Sequence, residues 1–397
     1  MSEGLHGDED TVKELLVTAN HGAAIAVAMA GRANRVARGF GGGVYPITPQ
    51  SECIEVLCAQ EIERSHLVHV ESEHSAMGVC IGFSSAGARS FTATSSNGLA
   101  YMAENAVAAS YSRLPIVMMV VNRTIGPPWN IWADHGDSLM LRDAGWIQLY
   151  CEDNQEVADT LLLAFRLAED RRVLLPVMVC QDAFVLSHTV MKIEMPEQEE
   201  VDRFLPGLDL PHRIGDRPRT IGGLDGPHET EVHRKQHAEA IARALAIYPE
   251  IQDEMERAFG RRPADPVEPY RMDDAEIAIV SMGTTAATVR HAVDEARSRG
   301  VRVGALRIRM FRPLPESDIR SRLKDCERVA VLDRDISLGF GGVLWGELRA
   351  LAARGAIVQG YMLGLGGGDI RPESIAGVLE DLLARAESGA PEIVEVG

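Results

Sequence analysis

The sequence predicts an α/β protein made of two parallel-sheet domains, and three observations carry that prediction. Short apolar runs alternate strictly with longer helical patterns from about residue 18 to 190. This is the sequence form of a mostly parallel sheet with helices on both faces. One run, Pro115-Ile-Val-Met-Met-Val-Val121, is apolar at every position, as a strand covered on both sides should be. A second alternating unit begins at Ala275, beyond a stretch that breaks the rhythm.

In the first unit, strands are expected at 44–47, 67–70, 90–95, 115–121, 147–151 and 174–180. Helical patterns lie between them over 50–64, 74–87, 99–113 and 156–169. Residues 192–272 carry many prolines and charges, as in EMPEQEEVDRFLP and GRRPADPVEPYR, with one helix expected around 229–246. Nothing there predicts a core of its own, so the stretch reads as a long connection over the surface of this or another chain. In the second unit, strands are expected at 277–282, 302–308, 328–333 and 357–361, and helices at 285–298, 316–323, 343–353 and 372–386. The last helix opens on Pro372, where a missing N–H costs nothing. The division is therefore 1–191, an extended connection over 192–272, and 273–397.

With 397 residues, 46% of them hydrophobic, the chain is long enough for two or three domains with real cores. Its 58 acidic against 40 basic side chains leave a net charge of −18. That balance argues against nucleic acid and against a polyanionic membrane surface as partners. The six cysteines are spread thinly with no C-x-x-C, which fits neither a disulfide framework nor an iron–sulfur or zinc cradle. The acidic opening MSEGLHGDED is no secretory signal, and no apolar run reaches membrane-spanning length. A soluble cytoplasmic protein with reduced thiols is the expectation.

Three segments can carry chemistry. In Gly41-Gly-Gly-Val-Tyr-Pro-Ile-Thr-Pro-Gln50 a strand is expected to end at Ile47, with Thr48 as helix N-cap and Pro49 at the first helical position. Thr48 then either simply caps the helix or offers its hydroxyl to an anion at the carboxyl end of the strand. In Val70-Glu-Ser-Glu-His-Ser-Ala-Met-Gly78, Glu71 and Glu73 flank a serine where strand turns into helix. They are either solvated acids favoured by the helix dipole or a buried carboxylate with a proton to hold. In the segment from Val121 to Asp137, Arg123 directly follows the all-apolar strand. It is placed to grip a carboxylate bidentately, or else it pairs with Asp134 or Asp137. The glycine clusters Gly39–Gly43, Gly339–Gly342 and Gly364–Gly368 match neither G-x-G-x-x-G nor a P-loop and read as tight turns at strand ends.

Together these segments resemble the α subunit of the 2-oxoacid:ferredoxin (acceptor) oxidoreductases, the pyruvate:ferredoxin oxidoreductase family. The resemblance rests on YPITP at 45–49, ESEHSAMG at 71–78, TATSSNGLA at 92–100, PIVMMVVNR at 115–123 and PPWNIWADHGDS at 127–138. It continues through RDAGWIQLYCEDNQE at 142–156 and LLPVMVCQDAF at 174–184. The resemblance implies that 1–191 is a thiamine-diphosphate-binding domain of the pyrimidine type and 273–397 a transketolase C-terminal-like domain.

It also implies roles. Glu73 matches the glutamate that hydrogen-bonds N1′ of the aminopyrimidine. Arg123 matches the residue that binds the 2-oxoacid carboxylate, with Thr48 as a hydroxyl donor to the same substrate and Asn97 as a further cofactor contact. The reaction implied is oxidative decarboxylation to acyl-coenzyme A. The chain lacks the G-D-G…N motif that holds the diphosphate and Mg²⁺. Both are therefore expected on a partner β subunit, with [4Fe–4S] clusters on β or further subunits, among them γ. Ferredoxin or an NAD-linked subunit would accept the electrons. A monocarboxylic substrate is expected, pyruvate before an aryl one such as phenylglyoxylate or a branched-chain 2-oxoacid. The alternatives are a non-catalytic assembly subunit and a cluster-free thiamine enzyme.

Overall fold

The computed structural model describes residues 13–215 and 217–396. In the first unit the order is β1 (Lys13–Val17), α1 (Ala19–Ala33), β2 (Phe40–Val44), α2 (Ser51–Cys58), β3 (Ser65–His69), α3 (Glu73–Ser85) and β4 (Arg89–Thr94). There follow α4 (Ser96–Tyr101), α5 (Ala103–Tyr111), β5 (Ile116–Asn122), α6 (Gly136–Met140), β6 (Ile147–Tyr150), α7 (Asn154–Glu169), β7 (Val177–Asp182) and β8 (Met191–Met195). Then α8 (Gln198–Phe204) and α9 (Pro227–Phe259) lead to β9 (Val267–Tyr270), β10 (Ile277–Ser281), α10 (Thr285–Ser298), β11 (Val303–Ile308) and β12 (Met310–Arg312). The chain closes with α11 (Glu316–Leu323), β13 (Arg328–Asp333), α12 (Val343–Leu348), β14 (Ile357–Leu363), α13 (Pro372–Ala384) and β15 (Glu392–Val394).

The first sheet has seven strands in the order β12-β6-β7-β5-β4-β2-β3, and the second has six in the order β15-β14-β13-β10-β11-β9. Within the first, every pair is parallel except β12 with β6. As its composition predicts, β5 is buried at every residue. The α/β class and the parallel sheets thus stand as read.

The alternation did not announce α1, whose run Ala-Ile-Ala-Val-Ala-Met-Ala is buried nearly all round. Such a helix has no polar face and hence no helical periodicity to detect. The helix expected at 229–246 instead runs Pro227–Phe259 and contains Pro249. Proline disfavours helix at the residue before it, so the sequence pattern ends short of Pro249 while the helix runs on. Ile247, Tyr248, Ile251, Met255 and Phe259 of α9 are buried in the core of the first unit.

The glycine cluster at 39–43 is not a phosphate loop, and only Gly39, at φ +77°, serves a turn at the strand's start. Gly41, Gly42 and Gly43 lie within strand β2, and a Cβ on Gly43 would stand 2.3 Å from the Ala76 carbonyl of α3. Glycine is there to let helix and strand touch.

The second unit is fastened to the first through buried charge as well as β12. The Arg309 guanidinium, 1% exposed, donates to Thr160 Oγ1 at 2.7 Å and to Glu156, and Arg307 donates to the Tyr150 carbonyl at 3.0 Å. At the far end of the interface, His135 Nε2 lies 2.7 Å from Asp182, which also receives Arg334 Nη1 at 3.1 Å.

Candidate active site at the carboxyl ends of the central strands

Ligands in open parallel sheets bind beyond the carboxyl ends of the strands, where strand order reverses. Here β2 lies between β3 and β4, so the chain changes direction at this point. Glu73 is the first residue of α3, whose N-cap Ser72 accepts from the Ser75 N–H at 3.2 Å. Its side chain is 7% exposed. Among the described residues nothing in the chain donates a hydrogen bond to its carboxylate. Across from it, a Cβ on Gly98 would stand 2.4 Å from Glu73 Oε1 and 2.7 Å from Thr94 Oγ1. That threonine oxygen is buried and unpartnered.

The two acids of the segment are thus separated by environment. Glu71 is exposed, and its carboxylate accepts the Ser75 hydroxyl. That bond holds its pKa below the usual carboxylate range. Glu71 is the solvated acid, and Glu73 is the one facing a cleft.

Arg123 follows β5 and is 8% exposed. Its guanidinium donates to two carbonyls, Asn130 O at 3.1 Å and Thr48 O at 2.7 Å. Among the described residues it forms no ion pair. Asp137 accepts the backbone N–H of Arg123 at 3.0 Å, while Asp134 accepts from Gly136 N at 2.8 Å. The rival explanation for Arg123, a structural pair with Asp134 or Asp137, therefore fails. Burial lowers the arginine's pKa, partly offset by the charge of Asp137. A nearly buried cation bonded only to neutral carbonyls is poised for an anionic ligand.

Thr48 is not the N-cap expected of it. The Thr48–Pro49 peptide is cis, and α2 starts at Ser51 with Gln50 as its cap residue. The physical reason is a turn at 48–50 that delays the helix. What the chain uses is the Thr48 carbonyl, and the exposed side chain has no hydrogen bond among the described residues. Asn97 lies in the first turn of α4, its Oδ1 accepting from Gly126 N at 3.4 Å and from Ser96 Oγ at 3.1 Å.

Thr48, Arg123, Asn97 and Glu73 therefore border one region. Thr48 is bonded to Arg123, Asn97 to the loop that follows Arg123, and Gly98 abuts Glu73. Sequence reasoning missed Thr94, Ser96 and Gly98, although Thr-Ser-Ser-Asn-Gly after a buried strand is a turn signal. Ser96 has φ +51°, a conformation that non-glycine residues seldom adopt.

The donors and the cleft suit an aminopyrimidine. An acceptor carboxylate without an internal partner, an orphaned hydroxyl and a glycine that keeps the space open lie together. Comparison with known proteins decides the lineage. Residues 42–256 match the model of the pyruvate flavodoxin/ferredoxin oxidoreductase, thiamine-diphosphate-binding domain, and 275–375 match pyruvate:ferredoxin oxidoreductase core domain II. The chain belongs to the pyruvate:ferredoxin oxidoreductase family.

Within that family it is similar to the α-type subunits. It is 45% identical to pyruvate synthase subunit PorA of Methanocaldococcus jannaschii over 84% of this chain and 88% of that one. It is 41% identical to ketoisovalerate oxidoreductase subunit VorA of Pyrococcus abyssi over 94% of each. Its fold matches 2-oxoglutarate:ferredoxin oxidoreductase from Magnetococcus marinus with TM-score 0.71 at 20% identity, covering 93% of this chain and 65% of that one. It also matches transketolase from Campylobacter jejuni with TM-score 0.52 at 13% identity, covering 88% of this chain and 43% of that one. The family's thiamine-diphosphate-binding domain in this chain is thus the unit that carries Glu73, Asn97 and Arg123.

Proposed function

We propose that this chain is the α subunit of a thiamine-dependent 2-oxoacid:acceptor oxidoreductase. The complex would convert a monocarboxylic 2-oxoacid and coenzyme A into acyl-coenzyme A, CO₂, a proton and two electrons. The observation that carries this reading is a nearly buried Arg123 whose guanidinium bonds, among the described residues, only to the carbonyls of Asn130 and Thr48.

Thiamine diphosphate, when bound, supplies the carbanion stabilisation that the protein's own side chains cannot. Glu73 would hold a proton against N1′ of the aminopyrimidine, a role that needs an acceptor carboxylate in a dry cleft. Arg123 would bind the substrate carboxylate through its guanidinium, held in place by the carbonyls of Thr48 and Asn130. The Thr48 hydroxyl, at the exposed end of the same loop, would donate to that substrate. Asn97, bridging the turn to Gly126, would line the cofactor side.

The diphosphate and Mg²⁺ fall to a partner β subunit, because the chain carries no G-D-G…N motif. Iron–sulfur clusters would sit on β or further subunits, γ among them, with ferredoxin or an NAD-linked subunit as acceptor. Among the described residues no helix is long and apolar enough to cross a membrane, and we place the complex in the cytoplasm.

Pyruvate leads as substrate because several PorA relatives are named for it. The 41% identity to VorA relatives keeps branched-chain 2-oxoacids as the second reading. The test is to purify the assembled complex and assay pyruvate, 2-oxoisovalerate, phenylglyoxylate and 2-oxoglutarate with coenzyme A and a viologen dye. Dye reduction with a monocarboxylic 2-oxoacid, dependent on coenzyme A and thiamine diphosphate, is expected. No reduction with any of the four, or full activity of a complex lacking this chain, would overturn the proposal.

A further inference from the structure

The proposed site has two working ends, Arg123 after β5 and Glu73 on α3, and one side chain bonds both Arg123 and the start of α4, whose Gly98 abuts Glu73. We infer that Asp137 is a positioning residue that sets the β4–α4 turn and Arg123 in a common register, without itself touching substrate or cofactor. This rests on the assignment of Arg123 to the substrate carboxylate.

Asp137 is fully buried. Each of its oxygens takes two donors: Oδ2 accepts from Ser96 N at 2.9 Å and Arg123 N at 3.0 Å, and Oδ1 accepts from Asn122 Nδ2 and Ser138 N, both at 2.8 Å. All four are N–H groups, so only a carboxylate satisfies the set. Burial raises its carboxyl to about 6, opposed by those same donors, so the ionised form prevails at neutral pH.

The Ser96 bond matters most. Ser96 sits at φ +51°, an arrangement that persists only where its surroundings over-determine it. Asp137 supplies one part of that constraint, and the Ser96 hydroxyl, donating to the Thr124 carbonyl, supplies another. Asn97 and Gly98 follow Ser96, and Gly98 abuts Glu73 Oε1. On the other arm of the same oxygen, the Arg123 N–H fixes where the guanidinium leaves β5. Among the described residues, no other side chain bonds both the β4–α4 turn and Arg123.

Asp137→Asn keeps the shape but turns one acceptor into an NH₂ group facing N–H donors. In the complete complex it should raise KM for the 2-oxoacid at least tenfold and lower kcat, while KM for coenzyme A stays within twofold. Amide exchange at Ser96 and Arg123 should quicken in the same variant. A role in stability alone would reduce the amount of active complex and leave KM unchanged.

Arg123→Ala is measured alongside. A raised KM in Arg123→Ala with an unchanged KM and unchanged exchange in Asp137→Asn overturns the positioning role and leaves the substrate assignment intact. An unchanged KM in both removes the assignment of Arg123, and the inference built on it. Should Asp137→Asn fail to assemble, Asn122→Ala deletes one of the same donors. It should raise the same KM by a smaller factor, and an unchanged KM there again overturns the inference.

Discussion

Gly98→Ala isolates the position of Glu73 from its chemistry. Gly98 is inside α4 and is not among the residues with positive φ, so alanine suits its backbone. In a helix interior alanine is favoured over glycine by about 1 kcal/mol. Folding is therefore not where this variant should fail. Its new methyl would stand 2.4 Å from Glu73 Oε1 and 2.7 Å from Thr94 Oγ1, roughly 1 Å inside ordinary contact. The carboxylate is the softer neighbour and must retreat by about that distance. Misplacement of about 1 Å typically costs about 10²-fold in rate, or about 2.7 kcal/mol in barrier. The assay is steady-state dye reduction by the assembled complex, with kcat and KM separated. We expect kcat to fall about a hundredfold and KM for the 2-oxoacid to hold, because Arg123 is untouched. In a Glu73→Gln background the same alanine should do little more, since residues acting as one unit are non-additive. A kcat within twofold of the parent, or full additivity with Glu73→Gln, refutes the reasoning.

Glu73→Gln alone should cut turnover to a small, still measurable residual rate while the complex still assembles, as size-exclusion chromatography with activity assays of the fractions can check. Arg123→Ala should raise KM for every 2-oxoacid about tenfold to a hundredfold, the worth of a charge-assisted hydrogen bond or two. Arg123→Lys should rescue it poorly, since a point charge cannot replace the fork. Glu156→Ala would leave Arg307 and Arg309 buried with fewer counter-charges. It should cost about 3–5 kcal/mol, read as a lower denaturation midpoint of the isolated chain. The contact His135–Asp182 gives a pH dependence. Burial opposes protonation of His135, but the charge and hydrogen bond of Asp182 outweigh it and raise its pKa. Its contribution to stability is therefore complete below the ordinary histidine value of about 6.5 and is lost as pH rises through the higher folded value. Melting temperature should accordingly fall more steeply above neutral pH in the parent than in His135→Asn, and equal slopes in calorimetry would contradict this.

Much of the fold was legible because each unit repeats one simple pattern. The fully apolar run at 115–121 could only be a strand covered on both faces, and it is β5. Helices with one polar face, such as α7 and α10, were legible in the same way. What escaped was whatever lacks an amphipathic signature, such as α1, or depends on a distant partner, such as β12 on β6. The site divides along the same line. Glu73 and Arg123 stood out as charges beside apolar strands, and the order of their motifs pointed to a family. Asp137 stood out only as a rival partner for Arg123. Its role depends on which N–H groups two distant segments, Ser96 and Asn122–Arg123, bring to it, and no local spacing encodes that.

The glycine strand β2 ties the fold to the site. Read locally, Gly39-Phe-Gly-Gly-Gly43 is poor strand material, because each glycine weakens a strand and presents no side chain to pack. Read in place, the missing side chains let α3 descend onto β2. Gly41 leaves room for the Phe83 ring, and Gly43 leaves room for the Ala76 backbone. Ala76 lies one helical turn from Glu73, so the height of α3 above the sheet is also the height of the Glu73 carboxylate. The chain thus gives up local strand propensity in β2 to set the depth of an acid on the neighbouring helix. Gly98, in the helix that follows β4, then keeps the facing space clear. Propensity and site geometry conflict here, and the conflict falls where a functional site is expected to break local rules.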